Sequence, residues 1–326
     1  MTTRRSLLLW LPLATSLVAP LNTRAETWPS KPVKIVVPAP PGSSLDNIAR
    51  LLNDRLAERW GQPVVVENKP GAGGMLGTDV AAKAAPDGHT MVLSFNGPIA
   101  FAPFLYNKVP YDAAKDLAPV VMTTSQPNVL AVNAAKVPAK TVKEFVDWAK
   151  AGNGSMNYAS LGNGSSAHLT MELFMAEAGL KGTHIPYNGS PPAALAVAQG
   201  DVDAVFMVAP ALLPHVKSGK VRLIAVSSAQ PLESMKDLPT LASAGYKAVE
   251  SMAWNGLFVP AATPGPVIAK INADVNALLV DSAVRTALDN QGLTPVGGSA
   301  ADLKHLVETE QKRWAPIITK IGVKLD

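Results

Sequence analysis

Short β-branched runs alternate with amphipathic stretches along most of this chain, and that alternation commits it to sheets covered by helices. Val33-Lys34-Ile35-Val36-Val37 is followed by Ile48, Leu52 and Leu56 at helical spacing. Val64-Val65-Val66 precedes a helical stretch over 73–84, and Met91-Val92-Leu93 comes after it. Repeated strand-then-helix units predict an α/β chain whose sheets are mostly parallel and flanked by helices on both faces.

A second series begins near Asn128. Strands are predicted over 128–132, 156–160, 184–186, 203–207 and 221–227. Between them fall a helix over 141–150 capped by Thr141 with Glu144 three residues on, one carrying Leu169, Leu173, Ala176 and Leu180 on a face, and one over 190–199. After about Ser251 the pattern shifts to a strand over 254–259, the breaker Thr263-Pro264-Gly265-Pro266, and helical segments. Leu303, Leu306, Val307 and Trp314 in those segments suit a cover for the first sheet. Crossings near residues 125 and 251 would form a hinge between a discontinuous lobe, 26–127 plus 251–326, and a second lobe, 128–250. Both are long enough to bury their own cores.

The N-terminus has the order of a cleavable export signal. Arg4 and Arg5 precede an apolar run from 7 to 18, and Thr23-Arg24-Ala25 offers a small-residue cleavage site. The run is shorter than the roughly 20 residues that span a bilayer, so residues 1–25 are expected to be removed after Ala25 and the protein to work in the periplasm. That segment holds Arg4, Arg5, Arg24 and no acid, so the formal charge of +4 falls to +1 without it. No basic stripe remains, which argues against a nucleic-acid partner. Cysteine is absent, which excludes disulfides, thiolate metal sites and cysteine nucleophiles.

Chemistry is concentrated in the turns between strands and helices. The first, 38–46, contains Pro41, Gly42, Ser43, Ser44 and Asp46; prolines stiffen it and glycine permits close backbone approach. The second runs from Ser160 through Asn163, Gly164, Ser165 and Ser166 to His168, and the third holds Tyr187, Asn188 and Ser190. Ser94, Phe95 and Asn96 close the strand after Met91. Loops of this kind leave free N–H groups and the positive end of a helix dipole for an anion. In an open sheet they gather at the strands' carboxyl ends, where ligands bind. A carboxylate held from both lobes would draw the cleft shut.

Enzyme and cofactor signatures are missing. There is no G-x-S-x-G elbow, H-E-x-x-H or phosphate-binding G-x-x-x-x-G-K-[ST]. The histidines at 89, 168, 184, 215 and 305 are too scattered for a metal pair. Asp201 and Asp203 read as structural acids. The glycines at 71, 73 and 77 miss the G-x-G-x-x-G spacing and suit tight packing or a turn. No cofactor and no metal are expected.

Several blocks together resemble the solute receptors of tripartite tricarboxylate transporters, the Bug or TctC family. They are Val37-Pro38-Ala39-Pro40-Pro41-Gly42 with Asp46 and Ala49-Arg50, Glu67-Asn68-Lys69-Pro70-Gly71-Ala72-Gly73-Gly74, Ala85-Pro86-Asp87-Gly88, and Tyr158-Ala159-Ser160 with Gly162-Asn163-Gly164-Ser165 and His168. Pro186-Tyr187-Asn188-Gly189, Gly200-Asp201-Val202-Asp203 and Gly245-Tyr246 continue the likeness in order. The resemblance implies a monomeric receptor with the two-lobed periplasmic-binding-protein fold that hands a di- or tricarboxylate, acidic amino acid or aromatic carboxylate to a membrane permease. It implies ligand contact, partly through ordered water, from Pro41 to Ser44, Ser160 to Ser166 and Tyr187 to Ser190. Ser43 stands where many relatives have glycine, and Met207 where many have aspartate. Met207 with Phe95 would line the site softly, which points away from an acidic amino acid and toward an aromatic carboxylate. Two other readings stay open: an exported hydrolase using a serine of the 164–166 turn with His168, and the same receptor signalling to a membrane sensor.

Overall fold

The computed structural model describes residues 28–232 and 235–325; the leader and cleavage site expected from the sequence lie outside them. The first sheet is built from β1 (Val33–Val37), β2 (Val64–Asn68), β3 (Thr90–Phe95) and β4 (Leu117–Pro127), with α1 (Ser44–Trp60), α2 (Met75–Ala82) and the short α3 (Ala102–Leu105) and α4 (Ala113–Asp116) between them. The chain then passes through Asn128 into β5 (Val129–Asn133), α5 (Val142–Ala151), β6 (Asn157–Ser160), α6 (Ser166–Ala178), β7 (Thr183–Pro186), α7 (Ser190–Gln199), β8 (Ala204–Met207), α8 (Leu213–Lys217) and β9 (Val221–Val226). It returns through β10 (Met252–Pro260), α9 (Gly265–Leu279), α10 (Ser282–Asp289), β11 (Thr294–Gly297) and α11 (Ala300–Ile321). No described helix is long and apolar enough to cross a membrane.

The strands form a six-stranded sheet, β11-β4-β10-β3-β1-β2, and a five-stranded sheet, β7-β6-β8-β5-β9. The expectation of mostly parallel sheets needs correction, because both are mixed. β2-β1-β3 and β7-β6-β8 are parallel, whereas β10 opposes β3 and β4, β11 opposes β4, and β5 opposes β8 and β9. The cause is the crossing itself. β10 and β5 each enter a sheet from the hinge end, so each runs against neighbours that finish there.

Two chain features escaped the sequence pattern. β4 is an eleven-residue strand despite its prolines, and Pro119 pairs with Phe258 beside a register shift in β10, the kind of irregularity where a strand tolerates a missing N–H. Residues 97–101 form a π-helical turn after β3.

Alternation along β5 shows how the second sheet is covered on both sides. Leu130 and Val132 pack with Phe145, Phe174 and Phe206, while Ala131 faces Ala193, Ala194 and Val197 of α7. Under the first sheet Val33, Ile35 and Val37 meet Ile48, Leu52 and Leu56 of α1 and Ile271 and Val275 of α9. α11 buries Leu303 and Trp314 as expected and sets Trp314 against Phe101 in a tilted ring contact at 5.1 Å. It also reaches the second lobe through Lys320 and Glu177, 3.0 Å apart.

Candidate functional site

Each of the three loops is shaped by its own residues. In the first, Gly42 adopts φ +77°, which places Ser43 as the cap of α1 with Oγ accepting from Asp46 N–H at 3.2 Å. In the second, Ser165 caps α6: its Oγ donates to Gly162 O at 2.8 Å and accepts from His168 N–H at 3.3 Å. In the third, Gly189 at φ +98° turns the chain into α7 without a side-chain cap. Pro191 and Pro192 have no N–H to offer, so this helix start supplies Ser190 and its dipole and little else.

The loops converge on one cavity between the lobes, with about 710 Å³ of empty space including its open mouth. Of the residues singled out from sequence, Ser43, Ser44, Phe95, Asn96, Ser165, Ser166, Asn188 and Ser190 line it. Among the described residues, not one that lines it is Asp, Glu, Lys, Arg or His. The starts of α1, α6 and α7 thus face a cleft holding no fixed charge, an arrangement that favours an anion through N–H groups, hydroxyls and helix dipoles alone.

The other ten do not line the cavity. Pro41 and Gly42 are exposed outside the turn. Asp46, only 2% exposed, is turned into the protein, where its carboxylate accepts from Gly42 N–H at 2.9 Å, Arg50 Nε at 3.0 Å and Asn68 Nδ2 at 3.0 Å. Burial alone would raise its pKa, but the hydrogen bonds from Arg50, Gly42 and Asn68 outweigh it and hold the carboxyl below the usual range. Asn68 Nδ2 also reaches Ala39 O at 3.0 Å, so this cluster ties the first loop to the glycine-rich segment that follows β2. Ser94 lies beneath the cavity with its Oγ 3.1 Å from Thr78 Oγ1.

In the second lobe Ser160 Oγ accepts from Gly162 N–H at 3.2 Å and lies 2.7 Å from His184 Nε2. Asn163 meets Tyr106 through its backbone carbonyl, 3.3 Å from the phenol, and Gly164 N–H donates to His168 Nδ1 at 3.3 Å. His168 is therefore no base for Ser165: the serine bonds its backbone, and its ring stacks on His184 at 3.9 Å. Burial, and for His168 the neighbouring His184, push these imidazoles down to about 3 and about 4. Unfolded imidazoles, near 6.5, take up protons that the folded rings refuse. Stability is therefore expected to fall as pH drops from about 6.5 toward 4; urea midpoints at pH 7 and 4.5 check it, and equal midpoints would mean the rings titrate freely.

Tyr187 and Met207 are corrections with a common cause. Tyr187 N–H pairs with Ser160 O at 3.1 Å, extending the β6-β7 ladder, so its ring lies against the alanine-rich core. Burial first, then the charge of Asp201, raise its phenol pKa. Met207 is fully buried in the same core, and the next residue, Val208, faces the cavity. Met207 supplies none of the soft lining inferred for it; Phe95, Leu45, Leu161 and Val208 provide that lining.

Sequence reasoning missed two sets of lining residues. One is Pro70, Gly71, Gly73 and Gly74; the glycines were visible, but only the fold shows why they are glycines. A Cβ on Gly74 would lie 2.7 Å from Phe95, and one on Gly73 only 2.4 Å from Asn163 O in the opposite lobe. Gly189 likewise meets Pro40, 2.7 Å from a would-be Cβ, so the lobes touch across the mouth. The other set is Gln126, Asn128, Ala253 and Asn255, where the chain crosses between sheets. Amides inside apolar strands were the available signal.

Residues 48–323 match the model of the tripartite tricarboxylate transporter family receptor. The chain is 36% identical to the protein BugT of Bordetella pertussis over 310 residues, covering 95% of this chain and 94% of BugT. Among solved structures, R. palustris Rpa4515 with adipate superposes with a TM-score of 0.88 at 32% identity, covering 91% of this chain and 99% of that one. MatC from Rhodopseudomonas palustris with bound malate gives 0.84 at 33% identity, covering 89% and 100%.

Proposed function

The chain belongs to the tripartite tricarboxylate transporter family of receptors, and from that premise we propose that it captures a small carboxylate by closing its two lobes and passes it to a membrane transporter. It is a solute-binding receptor and not an enzyme. The observation that carries the proposal is the convergence of helix starts from both lobes on a cleft lined by no charged side chain. An acid in the cleft would repel a carboxylate; free N–H groups and hydroxyls attract it. The adipate and malate held by the two related structures favour an aliphatic dicarboxylate, and Phe95 in the wall leaves room for an aromatic one.

In this reading residues 26–127 plus 251–326 form one lobe and 128–250 the other, with the hinge where β4 passes into β5 and where Ser251 leads into β10. Hydrogen bonds from Ser227 N–H to Asn128 O and from Ser251 N–H to Ser227 O, both 2.9 Å, join the two crossings. The receptor is exported, loses its leader after Ala25 and works in the periplasm as a monomer.

A thermal-shift panel of succinate, malate, adipate, citrate, aspartate, benzoate and terephthalate tests the proposal. A ligand at 100 times its dissociation constant adds about 2.7 kcal/mol to folding, a shift of several degrees. A hit among the carboxylates is the expected result. Folded, ligand-free protein that ignores them all would overturn the carboxylate assignment.

A further inference from the structure

The floor of the cleft is built from amides. Asn96 follows β3, Gln126 is in β4, Asn128 lies between β4 and β5, and Asn255 is in β10; none is more than 2% exposed. In two of them the protein fixes which end of the amide faces where. Asn96 Nδ2 donates to Met252 O at 3.1 Å, and a carbonyl can only accept. Asn128 Nδ2 donates to Thr170 Oγ1 at 3.2 Å, whose own proton is engaged by Ser166 O at 2.6 Å.

That bond uses one of the two Nδ2 hydrogens and fixes which end of the Asn96 amide is the oxygen. Asn96 Oδ1 and Gln126 Oε1 are both buried without a hydrogen-bond partner, and both residues line the cavity. An unmet buried acceptor is costly, and two in one binding cavity have a use when the cargo supplies the donor. Helix starts at the loops offer donors to an anion, while the floor offers acceptors.

Resting on the receptor reading above, we propose that Asn96 and Gln126 read a neutral hydroxyl on the solute, so that the preferred ligand is a hydroxylated carboxylate. A hydroxyl is a neutral donor whose one proton is shared between these two oxygens. An ammonium would have to be buried with no acidic side chain lining the cavity to balance it. The carboxylate takes the N–H groups and hydroxyls of the α1 and α6 starts, and the solute's O–H donates to the floor.

Calorimetric titration of the full-length receptor with matched pairs tests this: succinate against malate, glutarate against 2-hydroxyglutarate, benzoate against 3- and 4-hydroxybenzoate, with aspartate as the amine. In whichever series binds, the hydroxylated member is expected to bind at least about tenfold tighter than its parent. Gln126→Met, close in size, and separately Asn96→Leu should each cut that preference to about threefold or less, and a melting curve of each variant verifies its fold. Equal affinity within a pair, tighter binding of aspartate than of malate, or a preference that survives Gln126→Met would each overturn the inference while leaving the receptor reading intact. Failure of every carboxylate to bind would overturn both.

Discussion

Replacing Asp46 by alanine is expected to remove about 2–4 kcal/mol of folding stability and to weaken carboxylate binding on the order of tenfold to a hundredfold, although this side chain does not line the cavity. Its carboxylate is the shared acceptor for Gly42 N–H, Arg50 and Asn68. Without it, two loops that both face the ligand lose their common anchor, and Arg50 keeps an unpaired charge at a half-exposed position. Asp46→Asn keeps the shape but turns one acceptor oxygen into a donor, and should fall between. Arg50→Ala should cost less, about 1 kcal/mol or below, because the arginine is 52% exposed. The depressed carboxyl pKa adds a second acid-sensitive step: its stabilisation is full above the unfolded value near 3.8 and is lost as pH falls through the lower folded value. Urea melts and calorimetry on the three variants check the order. Wild-type affinity in Asp46→Ala would show that the loops hold their shape without the clamp.

Gly73→Ala is expected to leave the protein folded and yet weaken binding about a hundredfold. The added Cβ would sit 2.4 Å from Asn163 O and 3.4 Å from the Tyr106 hydroxyl. The backbone oxygen belongs to the opposite lobe, so the simplest relief is for the lobes to stay apart. Gly73 also has φ +63°, and alanine there costs about 1–2 kcal/mol by itself. Gly61→Ala separates the two effects: φ is +65° with nothing within 4 Å of its Cβ position. Both variants should melt lower by similar amounts, and only Gly73→Ala should lose affinity and show a larger radius of gyration with ligand present. Equal affinity in the two would mean that the lobes close without this contact.

Much of the fold was legible because β-branched runs and capped amphipathic stretches keep their meaning when packed. The helix over 190–199 ends where its sequence does, at Gly200 with φ +83°. Thr141 caps α5 as predicted. Strand direction was not legible, since nothing in β5 or β10 tells whether a strand enters its sheet from the hinge or leaves toward it. Nor was the side chain of Met207, because all four residues of β8 are buried and a strand covered on both faces loses the alternation that reveals which way it points. For the loops the sequence marked the right turns but not the atoms: serines that cap helices and a serine that lines the cavity look alike, and Ser43 and Ser165 turn out to do both.

Among the described residues the cavity wall holds no acid, base or histidine, and that has a use at the bench. A protein whose binding site cannot change its own charge makes its cargo the only thing at the site that does. Above the acid range in which His168 and His184 take up protons, the affinity of such a receptor bends where the solute gains or loses a proton. A plot of affinity against pH then works as an indicator dye for the molecule being carried. One bend or two, and where they fall, would distinguish a monoacid from a diacid among solutes too scarce to purify.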